Sequence, residues 1–442
     1  MRKLVIATLV VLALGTGCAP IPTPSQAVQP VQTQIPAGVG QGPPPSPQAQ
    51  GPQPSELWNR QLTGTPGRVL LAADAERLLV LSGAGPDRAT AYNGNGQVLW
   101  SFAPQDQQLA AADISLDGHK TVFVGWARGS GGAGKLYTVS DEGTVQRIFA
   151  WDFPWARYVH LSEDGSLIAL GFDGTVGSSD GVFIALNSKG DVLWQQSALR
   201  MQFLGYPSAD GSLVLMGYRG NPGGLVADPN YAGTGVRVFE RSGKELWHII
   251  DYHRPLGFSV DGNVAVVVGE PEGDGAYRQP PGVEGPPPAF GQLLWYGGRD
   301  GRLLGRYALP YKAGVYRFVL SADGQHAAVS LVSYQFAADR PRSQEQVLLF
   351  GAGGQLHGRI DPEEPVRDVL MSRDGQHVLL LTTPDLARAG APNLTLYDAD
   401  GQAVWRYRGS AGVVSAALSG DGSRLAVTAT DGRVHLLDTG VH

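Results

Sequence analysis

The sequence predicts an all-β fold, a β-propeller of eight four-stranded blades, on three observations. One unit of roughly fifty residues recurs along the chain, a length that suits one blade. Each unit alternates β-rich runs with glycine-bearing turns. The two ends of the folded part are each incomplete, in complementary ways.

The first turn of the unit is Ser-x-Asp-Gly, found at residues 115–118, 162–165, 208–211, 259–262, 321–324, 372–375 and 419–422. Residues 72–75, Ala-Ala-Asp-Ala, are a decayed copy. The eight anchors lie 43, 47, 46, 51, 62, 51 and 47 residues apart, close to the period of a four-stranded blade. The second turn carries a glycine before a strand that opens with Leu-Trp or a close variant, as in Gly96 to Trp100, Gly190 to Trp194, Gly243 to Trp247 and Gly401 to Trp405. Gly143, Gly301 and Gly354 keep the turn without the Trp. Asp-Gly pairs permit the positive φ that tight hairpins need. Each unit therefore reads as strand a, Ser-x-Asp-Gly hairpin, strand b, variable loop, strand c, glycine hairpin, strand d. The repeated Leu and Trp are expected to pack between blades, and the aspartate to accept N–H bonds around its own turn.

The last unit has strands a, b and c, ending with residues 433–438, and then the chain stops. The first folded residues, 56–62, look like a d strand with nothing before it. Pairing the two closes the ring and removes two exposed sheet edges. Seven blades is the rival count, if the decayed first unit or the long fifth interval is misassigned.

Residues 1–18 read as a lipoprotein signal peptide. Arg2 and Lys3 precede an apolar run from Leu4 to Leu14, eleven residues, too short to span a bilayer. Gly15-Thr16-Gly17-Cys18 then resembles a bacterial lipobox, with Leu14 one position further out than that motif places it. The resemblance implies acylation of Cys18; the alternative is an ordinary secretory signal. Maturation leaves 32 basic and 40 acidic residues, a net charge of −8. Residues 19–55 carry no charge, eleven prolines and eight glutamines. Such a segment buries too little apolar surface to order itself and acts as a semi-rigid tether of about 100 Å. Residues 56–442 form the propeller.

Several function classes fall away. The net charge of −6 leaves no basic footprint for nucleic acid. The single cysteine excludes a disulfide framework and a Cys-rich metal site. The nine histidines never recur at His-x-His or His-x-x-x-His spacing. Gly257 to Asp261 fails the nucleophile-elbow pattern at its last position. No catalytic residue, cofactor or metal is expected.

Propeller geometry puts the a–b and c–d turns on one face and the b–c and d–a loops on the other. The first set is uniformly short. The b–c loops are long and irregular, at 128–134, 174–181, 219–235, 271–291, 333–346 and 383–392. Loops on a rigid scaffold commonly carry binding. The d–a segments of that face are rich in aromatics and arginine, types enriched at interface hot spots. The candidate binding face is Trp151, Trp155, Arg157, Tyr252, Arg254, Tyr316, Arg317 and Arg367. The bland alternative is that half of these rings pack between blades.

Arg157, Arg254 and Arg367 each lie five residues before their serine anchor; Arg68 and Arg317 lie four before theirs. This spacing predicts a partial ring of guanidinium groups at the channel mouth, able to hold an acidic peptide, carboxylate or phosphate bidentately. The alternative is local neutralisation by Asp152, Asp251, Asp361, Glu363 and Glu364.

The Gly-x-x-Leu-Trp signature and eight units resemble pyrroloquinoline-quinone-like propellers, over about residues 58–438. The Ser-x-Asp-Gly turns are similar to those of WD-repeat and YVTN-type propellers. Within the first group, the lipid-anchored propeller subunit of the outer-membrane β-barrel assembly machinery combines lipobox, linker and eight blades. The quinoproteins of that group hold their cofactor with a vicinal disulfide and calcium, and this chain has no Cys-Cys pair. Ala19, rather than Asp, follows the cysteine, which in diderm lipoproteins implies the outer membrane. The expectation is a non-enzymatic, exported, membrane-anchored monomeric propeller on the periplasmic or cell-surface side, binding a protein or peptide on its long-loop face. A quinoprotein-like or hydrolytic envelope enzyme is one alternative, and a structural envelope or cell-wall protein another.

Overall fold

The computed structural model describes residues 53–441, apart from 84–86, 106, 128–133, 152–155, 174–179, 200, 221–233, 251–252, 270–290, 311–312, 338–339, 384–393 and 408–410. Its strands form eight separate four-stranded antiparallel sheets, one per repeat unit. Within blades 1 to 7 the strands pair in chain order a-b-c-d. The a strands are Pro66–Leu71, Gln107–Ile114, Ala156–Leu161, Met201–Pro207, His253–Phe258, Ala313–Leu320, Val366–Met371 and Val413–Leu418. Blade 8 takes its d strand from the other end of the chain. Ser55–Gln61 pairs antiparallel with Arg433–Asp438, from Ser55 opposite Asp438 to Gln61 opposite Arg433. The count is eight, and the ring closes as predicted.

The b and c strands are buried on both faces, so they read as unbroken apolar runs rather than alternating ones. Leu167–Phe172 of blade 3 is buried at every position. Neighbouring blades pack face to face: Val122, Leu136 and Trp151 of blade 2 meet Ile168 and Phe172 of blade 3. The d strands have one neighbour only and alternate, as in Leu303–Ala308.

The repeated Trp packs as expected, and the Leu beside it does so at Leu193 and Leu246, which are half-buried against the core, but not at Leu57 and Leu99. The d-strand Trp of blades 8, 1, 3 and 4 lies over the c–d glycine of the next blade. A Cβ on Gly96, Gly143, Gly243 or Gly301 would come within 2.8 Å of Trp58, Trp100, Trp194 or Trp247. Trp58 and Trp247 also donate through Nε1 to the carbonyls of Gly94 and Gly298, both at 2.8 Å. Gly96 has φ +74°, so its turn and its indole neighbour both require glycine. Successive residues of a strand point to opposite faces, which sends Leu57 and Leu99 outward. Leu57 is 46% and Leu99 37% exposed.

The Ser-x-Asp-Gly turn is a closed hydrogen-bond unit. In all seven intact copies the serine Oγ donates to the aspartate Oδ1 at 2.5–2.7 Å. It also accepts from the backbone N–H five residues on, at 2.8–3.0 Å. Burial acts to raise the carboxyls of Asp117, Asp164, Asp210, Asp323 and Asp421. The serine hydroxyl and backbone N–H groups that bond each carboxylate outweigh it, and all five lie below the usual aspartate value of 3.8.

These turns also bond to one another. Ala73 N–H donates to Leu116 O, Leu116 to Glu163 O, Asp164 to Ala209 O, and Ala209 to Val260 O. Asp261 donates to Ala322 O, Ala322 to Arg373 O, Arg373 to Gly420 O, and Gly420 back to Ala73 O. The circuit is complete, one link per blade boundary. Eight links of about 5 Å between neighbouring Cα atoms make a ring roughly 13 Å across. Glu163 and Arg373 belong to blades 3 and 7 and so face each other across it. The Arg373 guanidinium bonds both carboxylate oxygens of Glu163, Nη2 to Oε2 at 3.0 Å. The two side chains bar the channel at its turn face.

One loop differs from expectation. Residues 333–346 of blade 6 continue the sheet instead of forming an irregular loop. Strands Ala327–Ala337 and Arg340–Phe350 stay paired as far as Ala337 opposite Arg340. The five extra pairs carry this ribbon roughly 17 Å beyond the blade.

Three outcomes follow. Ala72→Ser restores the missing hydroxyl of the first turn, and chemical denaturation is expected to show a gain of about 1 kcal/mol. A double-mutant cycle with Glu163→Gln and Arg373→Gln is expected to give a coupling of about 1 kcal/mol, and a value near zero would show that the bar does not form. A carboxyl held low in the folded state stabilises above its unfolded value and loses that contribution as pH falls through the folded one. The unfolding midpoint is therefore expected to fall as pH drops through and below about 4, and Asp164→Asn with Asp421→Asn to flatten that fall.

Candidate functional site

On the face opposite the ring of turns, the a strands begin. A β-bulge interrupts most of them near that end, at residues 66–69 in blade 1, 156–158 in blade 3, 315–317 in blade 6 and 366–368 in blade 7. The bulge tilts the following side chains toward the axis. A cavity of 810 Å³ opens there, walled by the a strands of blades 6, 7, 8, 1 and 2, with Glu163 and Arg373 among its lining. Three of the predicted arginines, Arg68, Arg317 and Arg367, line this one cavity.

Each described mouth arginine bonds a backbone carbonyl of the next blade's a strand. Arg68 Nη1 donates to Ala112 O at 3.4 Å and Arg254 Nη2 to Val315 O at 3.0 Å. Arg317 Nε donates to Arg367 O at 3.0 Å, and Arg367 Nη1 to Val413 O at 3.1 Å. The carbonyls orient the guanidinium groups without cancelling their charge. Arg317 also has Asp368 Oδ1 at 3.5 Å and lies 4.2 Å above the Tyr316 ring, which is 48% exposed. Arg68 and Arg367 have no carboxylate within ion-pair distance among the described residues. Between them blade 8 presents only Val414, Ser415, Ala416 and Ala417, a wall of small neutral side chains.

Two of the expected neutralisers are used elsewhere. Asp361 pairs with Arg359 at 2.5 Å and Glu363 with Arg406 at 3.1 Å. Asp152 and Asp251 lie outside the described residues, and Glu364 is buried. The structure places Trp151 off the binding face. It is 4% exposed and packs edge-on against Phe172 at 5.1 Å, because blade 3 covers it. Cys18, Trp155 and Tyr252 lie outside the described residues, as does the side chain of Arg157.

Three of the eight mid-channel positions are polar, a feature the sequence reading passed over. Asp113 accepts from the Leu161 N–H at 2.9 Å and stands 3.6 Å from His160 Nδ1. The His160 ring lies on Tyr206 at 5.1 Å. Burial, with a smaller contribution from Tyr158, pushes the Tyr206 hydroxyl up to about 12, so it stays a neutral donor. All three precede their serine anchors by two residues, and that shared offset was the available signal. Arg373 and Glu163 were equally accessible: both are the x of Ser-x-Asp-Gly, four units apart in a ring of eight. Among the described residues no three His, Cys, Asp or Glu side chains converge as a metal site would need. The mouth thus presents two charged forks, oriented by carbonyls, beside a small-residue wall, a chemistry able to hold oxyanions.

No protein-family model and no curated protein matches the sequence. Solved structures do match in fold. The crystal structure of the C-terminal WD40 domain of Sif2 is 13% identical with a TM-score of 0.57, over 87% of this chain and 98% of that one. The structure of the Dos1 propeller is 11% identical with a TM-score of 0.56, over 88% and 96%. The chain has a WD40-like β-propeller fold.

Proposed function

We propose that this chain is a non-enzymatic interaction scaffold, held at the bacterial cell envelope by an acylated Cys18, that binds a polypeptide partner at the channel mouth. The observation that carries this reading is the pair Arg68 and Arg367: two guanidinium groups on one cavity, with no carboxylate partner among the described residues. The WD40-like fold supports it as a scaffold architecture. The signal peptide and uncharged tether support the anchor, and the likeness to the β-barrel assembly lipoprotein rests on those same sequence features. Chain direction supports the orientation. Ser55 pairs with Asp438, and Thr439 N–H bonds Ser423 O in the turn of blade 8. The strand Ser55–Gln61 therefore starts at the turn face, and the mouth opens on the other.

Two measurements test this. Cys18→Ala is expected to move the protein from the membrane to the soluble fraction, and a variant that stays membrane-bound would refute acylation. A photo-crosslinker at Tyr316 in cells, read by mass spectrometry, is expected to capture a defined protein. Arg68→Glu with Arg367→Glu is expected to abolish that capture, and unchanged capture would remove the mouth from the function. Capture of lipid or cell wall alone would favour the structural envelope reading.

A further inference from the structure

The channel has a floor. At the turn face the ring of eight backbone links is roughly 13 Å between opposite Cα atoms. Two of its side chains, Arg373 and Glu163, meet in the middle through two hydrogen bonds. No polypeptide passes such an opening. A loop entering from the mouth would have to turn back within the channel, where two strands side by side need about 5 Å plus their side chains. A single extended chain end meets neither obstacle. From the mouth arginines to the bar, the a strands run five or six residues, roughly 17–20 Å.

The polarity along that depth is graded. The mouth carries Arg68 and Arg367 without ion-pair partners among the described residues, and Arg317 paired with Asp368. Lower down, Leu70, Val319, Leu370 and Ala417 make an apolar wall, and Asp113 faces His160. At the floor the Arg373 guanidinium is 34% exposed although Glu163 holds it. Oxyanions are favoured at the mouth, where Arg68 and Arg367 have no ion-pair partner among the described residues; at the floor a carboxylate competes with Glu163 for the Arg373 guanidinium, and short apolar side chains lie between.

We infer that this blind channel takes the free C-terminal end of an acidic polypeptide, inserted end first. The terminal carboxylate approaches Arg373, and acidic side chains meet Arg68 and Arg367. This deepens the scaffold reading and rests on it. The end-first requirement comes from the Glu163–Arg373 bar, which that reading does not use.

The test uses the full chain and three forms of one acidic hexapeptide: linear with a free C-terminus, C-terminally amidated, and head-to-tail cyclised. Displacement of a fluorescent linear form is read by anisotropy, with inorganic phosphate as a small-anion competitor. The linear form is expected to bind, the amidated form about tenfold more weakly, and the cyclic form not measurably. Arg68→Ala with Arg367→Ala is expected to weaken the linear form at least tenfold. Arg359→Ala, on an outer strand, is expected to leave it unchanged. Arg373→Met is expected to bring linear and amidated forms to equal affinity. Equal binding of linear and cyclic forms would overturn the end-first inference and leave the scaffold proposal standing. Full displacement by phosphate at the peptide's own concentration range would reduce the cavity to a small-anion site, and overturns the inference as well. Absence of any peptide binding while the in-cell partner is still captured would also overturn it.

Discussion

The architecture depends on amides that find no acceptor within their own blade. The residue after each serine sits in a tight turn at the channel rim, where its N–H or that of the following aspartate points away from the sheet. An unmade backbone hydrogen bond beside a buried strand costs about 1–3 kcal/mol. The carbonyl that satisfies it belongs to the next blade, and the eighth returns to the first. No blade can meet this demand alone, which ties the number of blades to the closure of the ring. The serine and aspartate hold the turn in the shape that aims the amide outward, and for that reason they recur when strand sequences drift.

A second set of contacts runs round the outside. Trp58, Trp100, Trp194 and Trp247 each bridge from a d strand to the glycine turn of the following blade. An indole buries more apolar area than most side chains and can spend its one polar atom on a turn carbonyl. At these four boundaries the inner ring of amides and the outer indoles fix neighbouring blades at two radii, which suppresses tilting. On the far face the ties among the described residues are of another kind. There the arginines of the a strands reach across to neighbouring carbonyls, and a charge that serves packing also remains open to solvent.

Much of this was legible in the chain. The period of the Ser-x-Asp-Gly anchors carried the blade count, and the unmatched ends of residues 56–62 and 433–438 carried the closure. Spacing before each serine located Arg68, Arg317 and Arg367 correctly at one cavity, because distance along a strand from a fixed turn translates directly into depth. What failed was direction. Trp151 was placed at the right end of its strand but on the wrong side, since the covering blade depends on twist and not on position. Leu57 and Leu99 failed for the same reason: burial was inferred from hydrophobicity, and alternation sent them outward. The continued pairing of residues 333–337 with 340–344 was hidden because Arg340-Pro341-Arg342-Ser343-Gln344 carries no apolar alternation to match Tyr334 and Phe336. The local carboxylates were close in sequence to the arginines, yet Asp361 and Glu363 turned to Arg359 and Arg406 on outer strands.

The strand Ser55–Gln61 is held from two sides. His435 Nδ1 bonds Glu56 at 2.6 Å, and Arg433 bonds Asn59 at 2.7 Å. On the other flank, Arg60 Nε and Trp58 Nε1 donate to Gly96 O and Gly94 O of blade 1, both at 2.8 Å. Because Ser55–Gln61 runs antiparallel to Arg433–Asp438 and is also tied to the turn of blade 1, a pull along this strand's own axis loads its ladder in shear, all pairs together and not one at a time.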